Sequence, residues 1–432
     1  MIRHAILLAS ALALVPMMVW AQTASEPAPA GFPTGTPEEA GFDPVRLSRI
    51  GDALNREIAA GRMPGAVVAI ARDNKLVFLQ AYGYRDKAAG VRMTTDTIFN
   101  IASMTKPMTT VTALTLIEQG LLGLDEPVSA YLPEHFTAMK VATLNESGDA
   151  VASTAPASRA ITLRDLMTHT SGLVYGGRGT TAVHRMYPGG SATAALALTG
   201  PQFLDTLSSL PLLNQPGATW DYGFGLDVTG LIVEATEKRS LGEAMDAAIW
   251  RKLGMVDTGF TVPADKAARY ARALPTDPET GKRQTVDPDA TRPTKFECGG
   301  GCLVSTATDY LRFASMLLND GTFSGQRVLS PVMAHYMVTN QLSPQTRNLI
   351  GNADPTRAGY GFGLGLAVRT STAGTRLIGS DGDFSWPGAS GTDWWVDPAR
   401  KLVVVFMAHT PGPARWHYRY LINTLVYQAL AN

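Results

Sequence analysis

Apolar positions along this chain follow a helical period at its edges and form short continuous runs just inside them. Val45, Leu47, Ile50, Leu54 and Ile58 recur at near-helical spacing behind Asp43-Pro44, an N-cap acid followed by proline at the first helical position. Gly61 and Pro64 end that helix. Two apolar runs, residues 66–71 and 76–81, then flank Arg72-Asp73-Asn74-Lys75, which predicts a β-hairpin. A matching pair lies near the other end, where residues 391–396 and 402–408 flank Asp397-Pro398-Ala399-Arg400-Lys401. A last helix is expected over about residues 415–431.

The middle of the chain reads differently. Helices are predicted over residues 107–119, 163–168, 192–198, 224–236 and 241–253. Residues 134–160 and 263–295 lack periodicity and read as loops that shape a substrate pocket. The simplest architecture is an α/β fold of the α+β type. Strands from both chain ends share one antiparallel sheet flanked by helices, with a mainly helical domain inserted between them. The expected boundaries are 41–108 and 293–432 for the sheet domain and 109–292 for the helical domain. No internal repeat of fixed period is present.

The N-terminus reads as an address. Residues 1–4 carry positive charge, residues 5–20 are almost wholly apolar, and Val19-Trp20-Ala21 offers small residues where a signal peptidase reads. This predicts a signal peptide over 1–21, cut near Ala21, and export to a bacterial periplasm or the medium. The alternative is a membrane anchor, but the run is short for a span and contains Pro16. Residues 22–40 form a lead-in rich in Ala, Pro, Thr and Ser. No stable membrane anchor is expected after cleavage.

Composition narrows the function classes. The 37 basic and 37 acidic residues balance, so no nucleic acid or anionic surface is implied as a partner. Removing residues 1–21 takes away only Arg3 among them and leaves 36 against 37, a net of −1. Two cysteines are too few for a disulfide framework. Cys298 and Cys302 enclose three glycines, so they read either as a local bridge in an oxidising compartment or as two free thiols. No histidine shows metal-ligand spacing, and no motif calls for a cofactor or a metal.

The run Phe99-Asn100-Ile101-Ala102-Ser103-Met104-Thr105-Lys106 holds an S-x-x-K pattern at a helix start. Residues three apart share a helix face, so the Lys106 amine can reach the Ser103 hydroxyl. A serine needs such a base to become a nucleophile, and a lysine serves when a neutral fraction is available. Alone, the four residues equally describe a capping serine and a solvent lysine.

Further blocks change that balance. They are residues 120–133 (GLLGLDEPVSAYLP), 161–173 (ITLRDLMTHTSGL), 216–230 (PGATWDYGFGLDVTG), 299–317 (GGGCLVSTATDYLRFASML) and 386–398 (WPGASGTDWWVDP). With the S-x-x-K and Met63-Pro64-Gly65, and in this order, the chain resembles the serine β-lactamase/penicillin-binding-protein superfamily. It is most similar to class C β-lactamases and their esterase relatives, over about residues 41–430.

The resemblance implies roles. Tyr222 stands where the family carries the tyrosine of Y-x-N, which shares proton transfer with the lysine. Phe224 replaces the family's amide-binding Asn and is expected at the substrate. Trp386-Pro387-Gly388 replaces K-T-G, so the lysine that meets a β-lactam carboxylate is missing. Trp386 and Gly388 are expected to line the substrate, Gly388 by letting it approach the backbone. The N–H groups of Ser103 and Ala389 would form the oxyanion hole. His169 invites a Ser–His–Asp reading, but it falls in a structural block of the family. The function implied is a serine hydrolase that cleaves small, largely uncharged carboxylic esters through an acyl-enzyme on Ser103. Alternatives are β-lactamase or D-amino-acid peptidase activity on an amide, acyl transfer to a small acceptor, and a binding or sensor domain that is acylated without turnover. The sequence sets no oligomeric state.

Overall fold

The computed structural model describes residues 31–284 and 290–431. The expected signal peptide and residues 22–30 of the lead-in lie outside the described residues. An eight-stranded antiparallel sheet organises the chain. Its order is Gly361–Phe362, Ala367–Val368, Phe384–Ser385, Asp393–Asp397, Leu402–Ala408, Gly65–Arg72, Lys75–Asp86 and Val91–Arg92. The two chain ends meet at the centre of this sheet, where Ala66 pairs with Ala408 and Arg72 with Leu402. Both predicted hairpins form. Asp73 (φ 49°) and Asn74 (φ 61°) make the first turn, and these residue types tolerate left-handed backbone there.

The central strands read as continuous apolar runs because both of their faces are covered. Val67, Ala69, Ala71, Val403, Val405 and Met407 point into the larger core. Ala66, Val68, Ile70, Val404 and Phe406 point the other way. There they meet Leu47, Ile50 and Leu54 of the first helix (Pro44–Ala59) and Tyr418, Ile422 and Val426 of the last (Ala414–Tyr427). Each fully buried valine or isoleucine contributes about 1.5–3 kcal/mol. Asp43 caps the first helix by accepting from the Arg46 N–H, as its sequence predicts.

On the larger-core side, the helix Thr105–Glu118 is buried on nearly all sides. It packs against the helix Gly225–Glu237, with the helix Ala307–Leu318 lying on the central strands. A helix apolar all round belongs inside a core, and this placement carries Lys106 inside with it.

Other segments depart from the sequence reading. Residues 134–160 hold a hairpin, Lys140–Leu144 with Val151–Pro156. Its second strand is almost fully exposed and presents no apolar face from which periodicity could be read. Helices also form over Ala182–Met186 and Gly200–Ser209, each too short to display a long stripe. The helix expected over 241–253 is interrupted by a wider, π-type turn over Asp246–Trp250. Among the described residues no helix is long and apolar enough to cross a membrane.

Candidate active site

Ser103 sits in a single 3₁₀ turn, Ala102–Met104, that leads into the helix Thr105–Glu118. The turn is held from several directions. Ala102 takes a left-handed φ of 43°, a conformation that costs an L-residue about 1–2 kcal/mol. The Asn100 side chain accepts the Ala102 N–H, and Thr105 Oγ1 donates to the Ala102 carbonyl. Behind it, the Leu303 N–H donates to Thr105 Oγ1, and the Tyr310 hydroxyl donates to the Met104 carbonyl.

Lys106, fully buried one turn on, donates from Nζ to Ser103 Oγ at 3.4 Å and to the Gly300 carbonyl at 2.5 Å. Tyr222, 119 residues later, donates from its hydroxyl to Ser103 Oγ at 2.8 Å. Lys106 Nζ lies 4.5 Å from the Tyr222 ring centroid. The structure thus brings the three proposed reacting side chains together around one oxygen.

Tyr222 is fixed by its neighbours. The Trp386 indole N–H donates to its oxygen at 2.9 Å, and the Trp394 indole N–H in turn donates to the Trp386 carbonyl. Gly223 is required beside it, because a Cβ there would lie 1.9 Å from the Leu173 carbonyl oxygen. The conspicuous 161–173 block is therefore the floor under Tyr222. That floor is itself capped, with Thr162 and Asp165 closing a capping box and Arg159 clamping the Asp165 carboxylate.

Ser103 and Ala389, whose N–H groups are the expected oxyanion donors, both line the same cleft. Their backbone is pinned by the Ser390 hydroxyl on the Asn100 carbonyl.

Two substrate assignments from sequence need correction. Phe224 is wholly buried against Tyr175 and Phe203, with ring centroids 4.5 Å and 5.2 Å away, and does not line the cleft. It is a core residue that wedges the start of the helix Gly225–Glu237. Gly388 is needed for the protein's own packing and does not line the cleft. A Cβ there would lie 2.1 Å from Thr392 Oγ1 and 2.5 Å from the Ile101 carbonyl. Trp386 does reach the cleft, and it acts on Tyr222.

His169 makes no contact with Ser103. Its Nδ1 accepts the Gly223 N–H at 3.4 Å, and its ring packs on Trp220, Tyr222 and Phe362. Burial, and then the Lys106 charge, push its proton affinity well below the usual histidine range. Cys298 and Cys302 are joined in a disulfide, with Cα atoms 5.4 Å apart. The bridge closes the loop that presents the Gly300 carbonyl to Lys106.

Sequence reasoning missed a buried carboxylate. Asp227 Oδ1 accepts the Gly300 N–H at 2.9 Å, while Oδ2 accepts from Ser191 at 2.8 Å and from the Tyr175 hydroxyl at 3.2 Å. Burial pushes the Asp227 carboxyl upward, and Lys106 and these hydrogen bonds pull it back. The available signal was a lone acid between Leu226 and Val228 in a helix whose other positions there are core. The cleft walls were also misplaced. The main lobe, about 450 Å³, is lined by the 189–193 segment, Leu196, Tyr175, Gly300 and Gly301. The hairpin at 140–156 takes no part, and Ala290, Arg292 and Thr294 border only an adjoining recess.

Comparison with known proteins assigns the family. The Beta-lactamase family model matches residues 51–427. The chain belongs to that family. It is 41% identical to Protein Rv1367c of Mycobacterium tuberculosis over 82% of this chain and 88% of that one. It is 29% identical to the esterase EstB of Burkholderia gladioli, covering 88% of this chain and 93% of the esterase. Among solved structures it resembles EstCE1, described as a hydrolase with promiscuous acyltransferase activity. That match has a TM-score of 0.71 and 26% identity, over 89% of this chain and 99% of EstCE1.

Proposed function

We propose that this serine hydrolase cleaves carboxylic esters through an acyl-enzyme on Ser103. The observation that carries the reading is the convergence of Tyr222 Oη at 2.8 Å and Lys106 Nζ at 3.4 Å on Ser103 Oγ. Lys106 and Tyr222 take the serine proton as Oγ attacks the ester carbonyl, and return it to the leaving alcohol. The Ser103 and Ala389 N–H groups receive the oxyanion, a contribution of about 10²–10³ in rate per donor in comparable sites. Water then releases the acid. The esterase EstB among its relatives supports the choice of esters.

Acyl transfer to a small alcohol is the second reading, favoured by the likeness to EstCE1. It differs only in what attacks the acyl-enzyme. Against β-lactams stands the buried Phe224 at the position of the family's amide-binding Asn. Export also belongs to the proposal. It is supported by the signal-like residues 1–21 and by the Cys298–Cys302 bridge, which suits an oxidising compartment.

The test is turnover of 4-nitrophenyl acetate and butyrate by wild type and Ser103→Ala. The expected loss is at least about 10³-fold in kcat/KM. Equal rates in the two proteins would sink the assignment. Adding a small alcohol and measuring ester product separates transfer from hydrolysis.

A further inference from the structure

We infer that the ester acted on at Ser103 carries a carboxylate, held by Arg178 and Arg415 in a second, smaller lobe of the cleft; the inference rests on the esterase reading. This lobe opens beside the nucleophile. Ser103, Tyr222, Trp386, Pro387 and Ala389 form one wall, and Arg178, Arg415, Arg419 and Asp354 form the other. Three guanidinium groups therefore face a single carboxylate.

Asp354 is already engaged. Arg419 Nη1 donates to it, and so does the Thr356 hydroxyl at 2.6 Å. Arg419 Nη2 donates to the Gly388 carbonyl at 2.6 Å, so this arginine braces the strand that carries Ala389.

Among the described residues, the other two arginines donate to neutral acceptors. Arg415 Nη1 donates to the Pro411 and Gly412 carbonyls at 2.8 Å and 2.9 Å. Arg178 Nη1 donates to the Ala353 carbonyl at 3.1 Å, and its guanidinium lies 5.5 Å from the Tyr222 ring centroid. Burial first, and then the Arg419 and Arg178 charges against the pull of Asp354, lower the Arg415 proton affinity to about 10. Packing like charges together in a half-dry pocket is unfavourable unless an anion enters it. A guanidinium offers paired donors that match a carboxylate in geometry and charge.

The two lobes differ in size, and Arg178 borders both. The larger one, with Ala192, Leu196 and Tyr175 in its walls, has room for a hydrocarbon group. The smaller one has room for little more than a carboxylate. Both share Ser103, Arg178, Tyr222 and Ala389, so a substrate can reach both while its ester lies at the nucleophile. This revises the expectation of a largely uncharged substrate drawn from the loss of a lysine at Trp386. The cations come instead from positions 178 and 415, which nothing in the sequence links.

The test compares kcat/KM within two matched pairs. Mono-4-nitrophenyl glutarate against 4-nitrophenyl pentanoate places the charge on the acyl side. 3-Butanoyloxybenzoate against phenyl butanoate places it on the alcohol side. In at least one pair the carboxylate should be favoured by about 10- to 100-fold, the range expected of a charged hydrogen-bonded pair. Arg415→Gln should reduce that preference by about tenfold, and raised salt should reduce it too. Arg178→Gln, at an exposed rim position, repeats the test should Arg415→Gln fail to fold.

Ser103-dependent turnover with no carboxylate preference in either pair would overturn the inference and leave the esterase reading standing. An equal loss on both members of a pair in Arg415→Gln and Arg178→Gln would also overturn it, by making the arginines structural. Absence of Ser103-dependent turnover of all four esters would remove the esterase reading and the inference with it.

Discussion

On one side of Ser103 a single cation, Lys106, lies beside a single buried carboxylate, Asp227, with the Gly300 peptide bonded to both. On the other side three arginines face one aspartate. The first side is complete within the protein. Lys106 and Asp227 are fully buried, and every oxygen of Asp227 has a donor, so their geometry is set before any ligand arrives. The second side carries more positive charge than its own residues offset. A balanced, dry cluster suits proton transfer, which needs fixed distances. An unbalanced, partly open one suits recognition, because a ligand supplies the missing charge.

Tyr222 belongs to both sides, and its removal should do the most damage. Tyr222→Phe should lower kcat/KM by about 10²–10⁴-fold, the range for a positioned proton donor and acceptor. A loss under tenfold would leave Lys106 as sufficient alone.

Next comes Asp227, a positioning residue. Asp227→Asn keeps an acceptor for Gly300 but removes the charge, and should lower kcat about 10- to 100-fold, in line with a charged hydrogen bond. A purely structural role predicts lost stability with kcat of the folded enzyme unchanged.

Trp386→Phe deletes one neutral donor to Tyr222 and should cost about 3- to 10-fold in kcat. The smallest effect is on stability. Replacing Cys298 and Cys302 by alanine reopens a short loop, worth about 2 kcal/mol in the loop-closure account. Calorimetry of the two proteins reads that difference.

These two sides were also unequally legible. The spacing of Ser103 and Lys106 needs only one helical turn, so local sequence shows it. Tyr222 lies in a long block whose pattern, from Pro216 to Gly230, resembles a known family. The central strands were visible because Gly65–Arg72 and Leu402–Ala408 are apolar on both faces. Asp227, Arg178 and Arg415 gave no comparable signal. An acid in a core helix looks like any other helical residue until the loop at Gly300 is folded onto it. The two arginines come together only in the folded cleft, where both line its smaller lobe. Phe224 and Gly388 misled for the opposite reason, since a family position was taken for a ligand contact where this chain uses it for packing.

The most direct measurement is intact-protein and peptide mass spectrometry of wild type and Ser103→Ala, quenched in acid during turnover of 4-nitrophenyl butyrate. The account predicts a butanoyl adduct on the peptide containing Ser103, formed and lost on the time scale of turnover and absent from Ser103→Ala. Turnover with the adduct on another residue, or undiminished turnover by Ser103→Ala, would contradict it.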